Sequence, residues 1–319
     1  MHRHISLSLK ALLSLVLAVC SGAAWCKPFA YVSNEGSGSL SVIDTAVDKV
    51  VGEIAVGGKP RGAVVARDGR TAYVSDASGD RLAIVDLVAQ RVSGEVALGR
   101  SPEGVGRSLD GRWIAVAVEE ANEVAFIDAS SGKLAFSVPV RGRNPEHAVF
   151  APDSAHVFVS AEDGKSVDVI DVAERRVVAE IPVGQRPRGI GFSPDGQRAW
   201  IAAELANEVY VVDAVRFKVL QVIQAGPRSN GIAVHPDGSR VYVSNGGAAS
   251  VSVIDTATKA VVATIAVGQR PWNMALTPDG GKLYVACGRS GAVSVIDTRR
   301  QEKIADIAVG KLPWGVAIP

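Results

Sequence analysis

The chain has 319 residues, 47% of them hydrophobic and 21% charged, the make-up of a globular protein with ample material for a core. A formal net charge of +1 excludes a general electrostatic pull toward nucleic acid or an anionic membrane. Aromatic residues are only 5%, so the core must come from Val, Ile, Leu and Ala, and the β-branched members of that set favour strands.

Residues 1–26 read as a secretory signal peptide. Arg3 and Lys10 are its only charges, Ala11 to Val19 is apolar, and Ser21-Gly22-Ala23-Ala24 supplies small residues before a cleavage point between Ala24 and Lys27. The apolar run is too short for a membrane span. A lipoprotein site at Leu17-Ala18-Val19-Cys20 fits less well, because Val precedes the Cys. The expectation is export to the periplasm or beyond, with 32 basic against 33 acidic residues left. Cys20 and Cys26 leave with the segment, so Cys287 has no partner for an intramolecular disulfide and reads as a small residue at a strand end.

Residues 27–319 read as one repeat domain. A short strand ending in Asp recurs at Asp44, Asp86, Asp128, Asp171, Asp213, Asp255 and Asp297, at intervals of 42 or 43. Tyr31-Val32-Ser33-Asn34 recurs in phase as Tyr73-Val74-Ser75-Asp76 and Tyr242-Val243-Ser244-Asn245. Pro194-Asp195-Gly196 recurs at Pro236-Asp237-Gly238 and Pro278-Asp279-Gly280. Within residues 60–99 the alternation and turn signals give four strands: Arg61 to Ala66, Thr71 to Ser75, Arg81 to Val85 and Arg91 to Leu98. A period near 42 with four strands per unit means propeller blades. The first strand of each unit is placed innermost, because its midpoint carries Val64, Gly106, Val149, Gly191, Ala233, Ala275 and Ala317, which suit the crowded axis. This predicts an all-β, seven-bladed propeller of four-stranded antiparallel blades. The repeat starts and stops out of phase, so the last blade is predicted to join one C-terminal strand to three N-terminal ones.

The Tyr-Val-x-Asn and Ser-Val-Ile-Asp-Thr units, with the step Val267-Gly268-Gln269-Arg270-Pro271, resemble the YVTN family of β-propeller repeats across residues 28–319. More narrowly, the opening Phe29-Ala30-Tyr31-Val32-Ser33-Asn34-Glu35 is similar to the propellers associated with PQQ-dependent alcohol catabolism. That resemblance implies a periplasmic accessory role beside a quinoprotein dehydrogenase, a cytochrome or a transport component. Propellers that hold PQQ resemble eight-bladed structures with Trp docking motifs, a pattern this chain lacks, so no cofactor is expected.

Motifs for chemistry are sparse. The chain has no Cys-x-x-Cys-His and no Gly-x-Ser-x-Gly elbow. His147, His156, His235 and Cys287 lack zinc-ligand spacing, so no metal site is expected. The repeated Asp residues are turn formers. What varies is the first residue of each innermost strand, at one mouth of the channel: Arg61, Glu103, Glu146, Arg188, Asn230, Trp272 and Trp314. With His147 and Asn273 these are the candidate ligand or partner residues. Trp272 and Trp314 belong to adjacent blades and are expected side by side, an aromatic clamp beside Arg61 for a planar or anionic ligand. The loop acids Glu35, Glu119, Glu120, Glu162, Asp163 and Glu204 share the face and are expected to pair with Arg rather than act as acids.

The sequence alone favours a non-catalytic binding or scaffold protein over an enzyme. One alternative is a lactonase-like hydrolase, for which Glu146-His147 with Arg188 is the nearest set. The other is single-stranded nucleic-acid binding through the Arg- and Trp-bearing face.

Overall fold

The computed structural model describes residues 29–319. The segment 1–26 read as a signal peptide, with Cys20 and Cys26, lies outside the described residues. Seven four-stranded antiparallel sheets follow one another. Each innermost strand contacts the next, and the last returns to the first, which makes a closed seven-bladed propeller. The first blade joins the C-terminal strand Pro313–Ala317 to Phe29–Asn34, Ser39–Asp44 and Lys49–Ala55. The innermost strands of blades two to seven are Pro60–Val65, Pro102–Arg107, Pro145–Phe150, Pro187–Phe192, Ser229–Val234 and Pro271–Leu276.

Burial follows from this stacking. Second strands such as Thr71–Asp76 are buried along nearly their whole length, because both faces of the sheet lie against neighbouring blades. Outermost strands such as Ala260–Ala266 are exposed at most positions. The recurring Asp residues close the turns: Asp86 Oδ1 accepts the N–H groups of Val88 and Ala89, both at 2.9 Å. Those backbone donors hold its carboxyl below the usual range.

The recurring Tyr binds one blade to the next. Tyr73 Oη donates to the carbonyl of Ala129 in the third blade at 3.1 Å. Where the ring closes, Tyr284 of the seventh blade bonds Asp48 of the first, and Lys282 Nζ reaches the same carboxylate at 2.7 Å. Burial and Asp48 push the Tyr284 hydroxyl well above its usual value. Cys287 is fully buried within the core between blades, and burial pushes its thiol up.

Candidate functional site

Two features of the repeat position the mouth residues. The Ser of the second strand reaches into the next blade and holds a backbone carbonyl: Ser33 Oγ bonds Arg61, Ser75 Oγ bonds Glu103, and Ser244 Oγ donates to Trp272 at 2.6 Å. The residue after the mouth position is Gly62, Gly104, Gly189, Gly231 or Gly315 in five blades. A Cβ at Gly62 would stand 2.5 Å from the carbonyl oxygen of Glu103, and one at Gly231 would stand 2.4 Å from that of Trp272. Only a bare backbone lets adjacent blades approach this closely.

His147 and Asn273 occupy the same position in the fourth and seventh blades. They meet across the channel, His147 Nε2 to Asn273 Oδ1 at 3.3 Å. Trp314 of the first blade stacks on the His147 ring with centroids 5.7 Å apart and planes 20° apart. The three side chains close the channel with a plug. The expected Trp272–Trp314 clamp is therefore corrected. Trp314 is turned inward and buried, while Trp272 lies beside the Arg270 guanidinium, 5.9 Å from its ring centroid. The inward turn follows from the open stacking surface that His147 provides.

Burial lowers His147 to about 4, against a small upward pull from Asn273, so the plug imidazole is neutral at ordinary pH. A histidine whose folded pKa lies below its unfolded value makes stability rise with pH between the two, from about 4 to about 6.5, and level off above. The span is worth about 3 kcal/mol. The melting temperature of the wild type is therefore expected to fall, relative to His147→Gln, as pH drops from 6.5 to 4 in parallel thermal melts. Parallel curves would mean that the imidazole is solvated.

The remaining mouth residues form two linked charge clusters. In the first, Arg61 pairs with Glu103 and, at 3.3 Å, with Glu35. Ser101 Oγ lies 3.2 Å from Glu103 and 2.7 Å from Glu119. Glu103 is 2% exposed. Burial drives its carboxyl up to about 8, Arg61 pulls it down, and Glu119 pushes it up again.

In the second cluster Arg188 pairs with Glu146, with Glu162 at 2.6 Å and with Glu204 at 2.9 Å. The Glu204 side chain is fully buried and also receives Arg186 at 3.4 Å, Arg228 at 3.3 Å and Arg270 at 3.1 Å. Burial opposes its ionisation, but Arg188, Arg186 and Arg270 outweigh that and hold it below the usual range. The charge of Glu103 also acts on Arg188, so the clusters share one field. Asn230 is buried at the mouth of the sixth blade, its carbonyl oxygen against Gly189.

The structure thus brings Arg61 to Glu103 and Glu146 to Arg188, and sends His147, Asn273 and Trp314 into the plug. Of the loop acids expected to pair with Arg, Glu35, Glu120, Glu162 and Glu204 do so, Glu204 fully buried, whereas Glu119 meets Ser101 and Asp163 meets the Asn144 amide. The hub role of Glu204 and the parts of Arg186, Arg228 and Arg270 were not singled out by sequence. The plug had a usable signal, the two breaks in the glycine column. His156 and His235 each lie 2.7 Å from a neighbouring turn carboxylate, of Asp153 and Asp237. Among the described residues no group of three or more His, Cys, Asp or Glu is placed to hold a metal ion.

The family model described as lactonase, 7-bladed beta-propeller, matches residues 171–307. The model described as cytochrome D1 heme domain matches residues 27–149. A chain of hydrazine synthase from Kuenenia stuttgartiensis is similar in structure, with a TM-score of 0.77 and 24% identity over 84% of this chain and 92% of that one. A functionally unknown protein from Desulfotomaculum acetoxidans has a TM-score of 0.81 and 17% identity over 91% of this chain and 98% of that one. At these identities the two structures show the fold alone. No curated protein matches the chain.

The family matches overturn the expectation of a non-enzyme, since both point to an enzyme-like or haem-binding propeller. The histidine of the stretch matched to the haem-domain model is not presented as an open iron ligand. His147 is the one histidine of the second matched stretch, and its ring face and Nε2 are taken by Trp314 and Asn273. The chain is a seven-bladed β-propeller similar to the lactonase propellers over residues 171–307 and to cytochrome d1 haem domains over residues 27–149.

Proposed function

We propose that the channel mouth is a hydrolytic site of the lactonase type, acting on a cyclic ester. The observation that carries this is Glu103, a buried carboxyl at the mouth, paired with Arg61, within the field of Arg188, and pushed up to about 8. A proton acceptor works best when its pKa lies near the working pH. In its ionised form Glu103 takes a proton from a water, and that water's oxygen attacks the ester carbonyl carbon. The negative charge moves onto the carbonyl oxygen, where Arg61 stabilises it. Collapse breaks the ring C–O bond, and Glu103 returns the proton to the leaving oxygen. Trp272 with Arg270 offers a flat, cationic edge for the substrate ring.

Pairing of the mouth arginines with glutamates weakens the nucleic-acid reading, because counterion release needs unpaired cations. The repeat likeness supports a quinoprotein dehydrogenase, a cytochrome or a transport component as a partner of this enzyme, and residues 1–26 support export.

The test is a pH-stat measurement of acid released from a panel of γ- and δ-lactones. Turnover of at least one above its spontaneous rate is expected. Release at the spontaneous rate for the whole panel would remove the reading.

A further inference from the structure

Below the plug the channel continues as a second chamber of about 310 Å³, open toward the opposite face and walled by Ala63, Val105, Val149, Phe150 and Ala275 among others. Its one charged lining residue is Arg107. At this repeat position the other blades carry Val65, Phe150, Phe192, Val234, Leu276 and Ile318, all apolar. Two residues further along the second blade Arg67 stands where Pro152, Pro194, Pro236 and Pro278 recur. Both breaks of the repeat fall on neighbouring blades at the same end of the channel.

The two cations are close enough to repel. Burial lowers the Arg107 pKa, and Arg67 lowers it further, with no acid acting in the other direction. Among the described residues Arg107 makes no ion pair and no side-chain hydrogen bond. Asp110, whose carboxylate feels the charge of Arg67, is already bonded by Ser108 at 2.6 Å and by the Arg112 N–H at 2.9 Å. A half-buried guanidinium at an apolar cavity, held beside a second cation and given no carboxylate, lacks the partner such a group normally has.

We propose that the lower chamber binds one aliphatic monocarboxylate, its chain among the apolar walls and its carboxylate on Arg107. An apolar pocket with one placed polar group is the usual form of a small-molecule site, and guanidinium matches carboxylate in a two-bond fork. A chamber of about 310 Å³ has room for roughly ten groups the size of a water or a methylene, which selects a medium chain. The site lies across the plug from Glu103 and does not depend on lactone hydrolysis.

Calorimetric titration of the full chain with decanoate, octanoate and decan-1-ol tests this. Decanoate is expected to bind one saturable site, each methylene removed weakening it about fourfold. Arg107→Leu restores the apolar residue of the other blades and so keeps the fold, and it is expected to weaken decanoate at least tenfold. Arg107→Lys should retain part of the affinity, and Val64→Trp should block the chamber. Glu103→Gln should leave binding unchanged. No saturable binding, equal affinity for decanol, full affinity in Arg107→Leu, or loss on Glu103→Gln would each overturn the assignment.

Discussion

Glu103→Gln is expected to lower lactone hydrolysis by roughly 10²- to 10⁴-fold, the usual contribution of a positioned proton acceptor. The amide keeps the size of the side chain and its bond to Ser101, but it cannot take a proton from water. Folding should survive, since the amide has the shape of the carboxyl and burial disfavours a charge at this position. The sign of the pH dependence follows. The active form is the carboxylate, so wild-type kcat/KM should rise with pH and level off above about 8, while the residual rate of the variant follows hydroxide alone.

Stability should move the other way with pH. A carboxyl whose folded pKa lies above its unfolded value near 4.3 stabilises the fold less as pH climbs from there to about 8. Melts of wild type and Glu103→Gln should therefore diverge across that window, in favour of the variant at the alkaline end. Undiminished hydrolysis by Glu103→Gln would place the base elsewhere.

Glu204→Ala is expected to cost about 3–5 kcal/mol, the range seen when one partner of a buried ion pair is removed. Its carboxylate answers Arg186, Arg188, Arg228 and Arg270, and Arg188 is itself buried. Without it Arg188 keeps Glu146 and Glu162, but Arg228 and Arg270 lose their recorded ion pairs. The loss corresponds to a fall in melting temperature on the order of 10 °C. The control is Glu180→Ala, which breaks the exposed pair with Arg141 at 3.7 Å and should cost less than about 1 kcal/mol. Equal melting temperatures for the two variants would mean that water, not Glu204, neutralises the mouth.

The sequence by itself determined the blade count, the four strands per blade and the closure of the first blade by Pro313–Ala317 against Phe29–Asn34. These depend on signals within one period: a Tyr-Val-Ser strand, an Asp turn, an alternating outer strand. Local backbone preference and two-sided burial repeat with the period, so they are readable wherever it is. The mouth as a ring of variable residues was legible for the same reason, because departures from a repeat stand out against it.

Only the tertiary structure decided which of those residues meet. His147 and Asn273 are 126 positions apart and touch across the channel. Trp314 finds His147 rather than Trp272. Glu204 gathers arginines from three blades. Such contacts depend on how far each side chain reaches across a gap set by blade packing, and no local pattern carries that distance. The glycine column came nearest. Its breaks at His147 and Asn273 mark where side chains fill space that bare backbone occupies elsewhere, but only the closed ring places those two positions opposite each other.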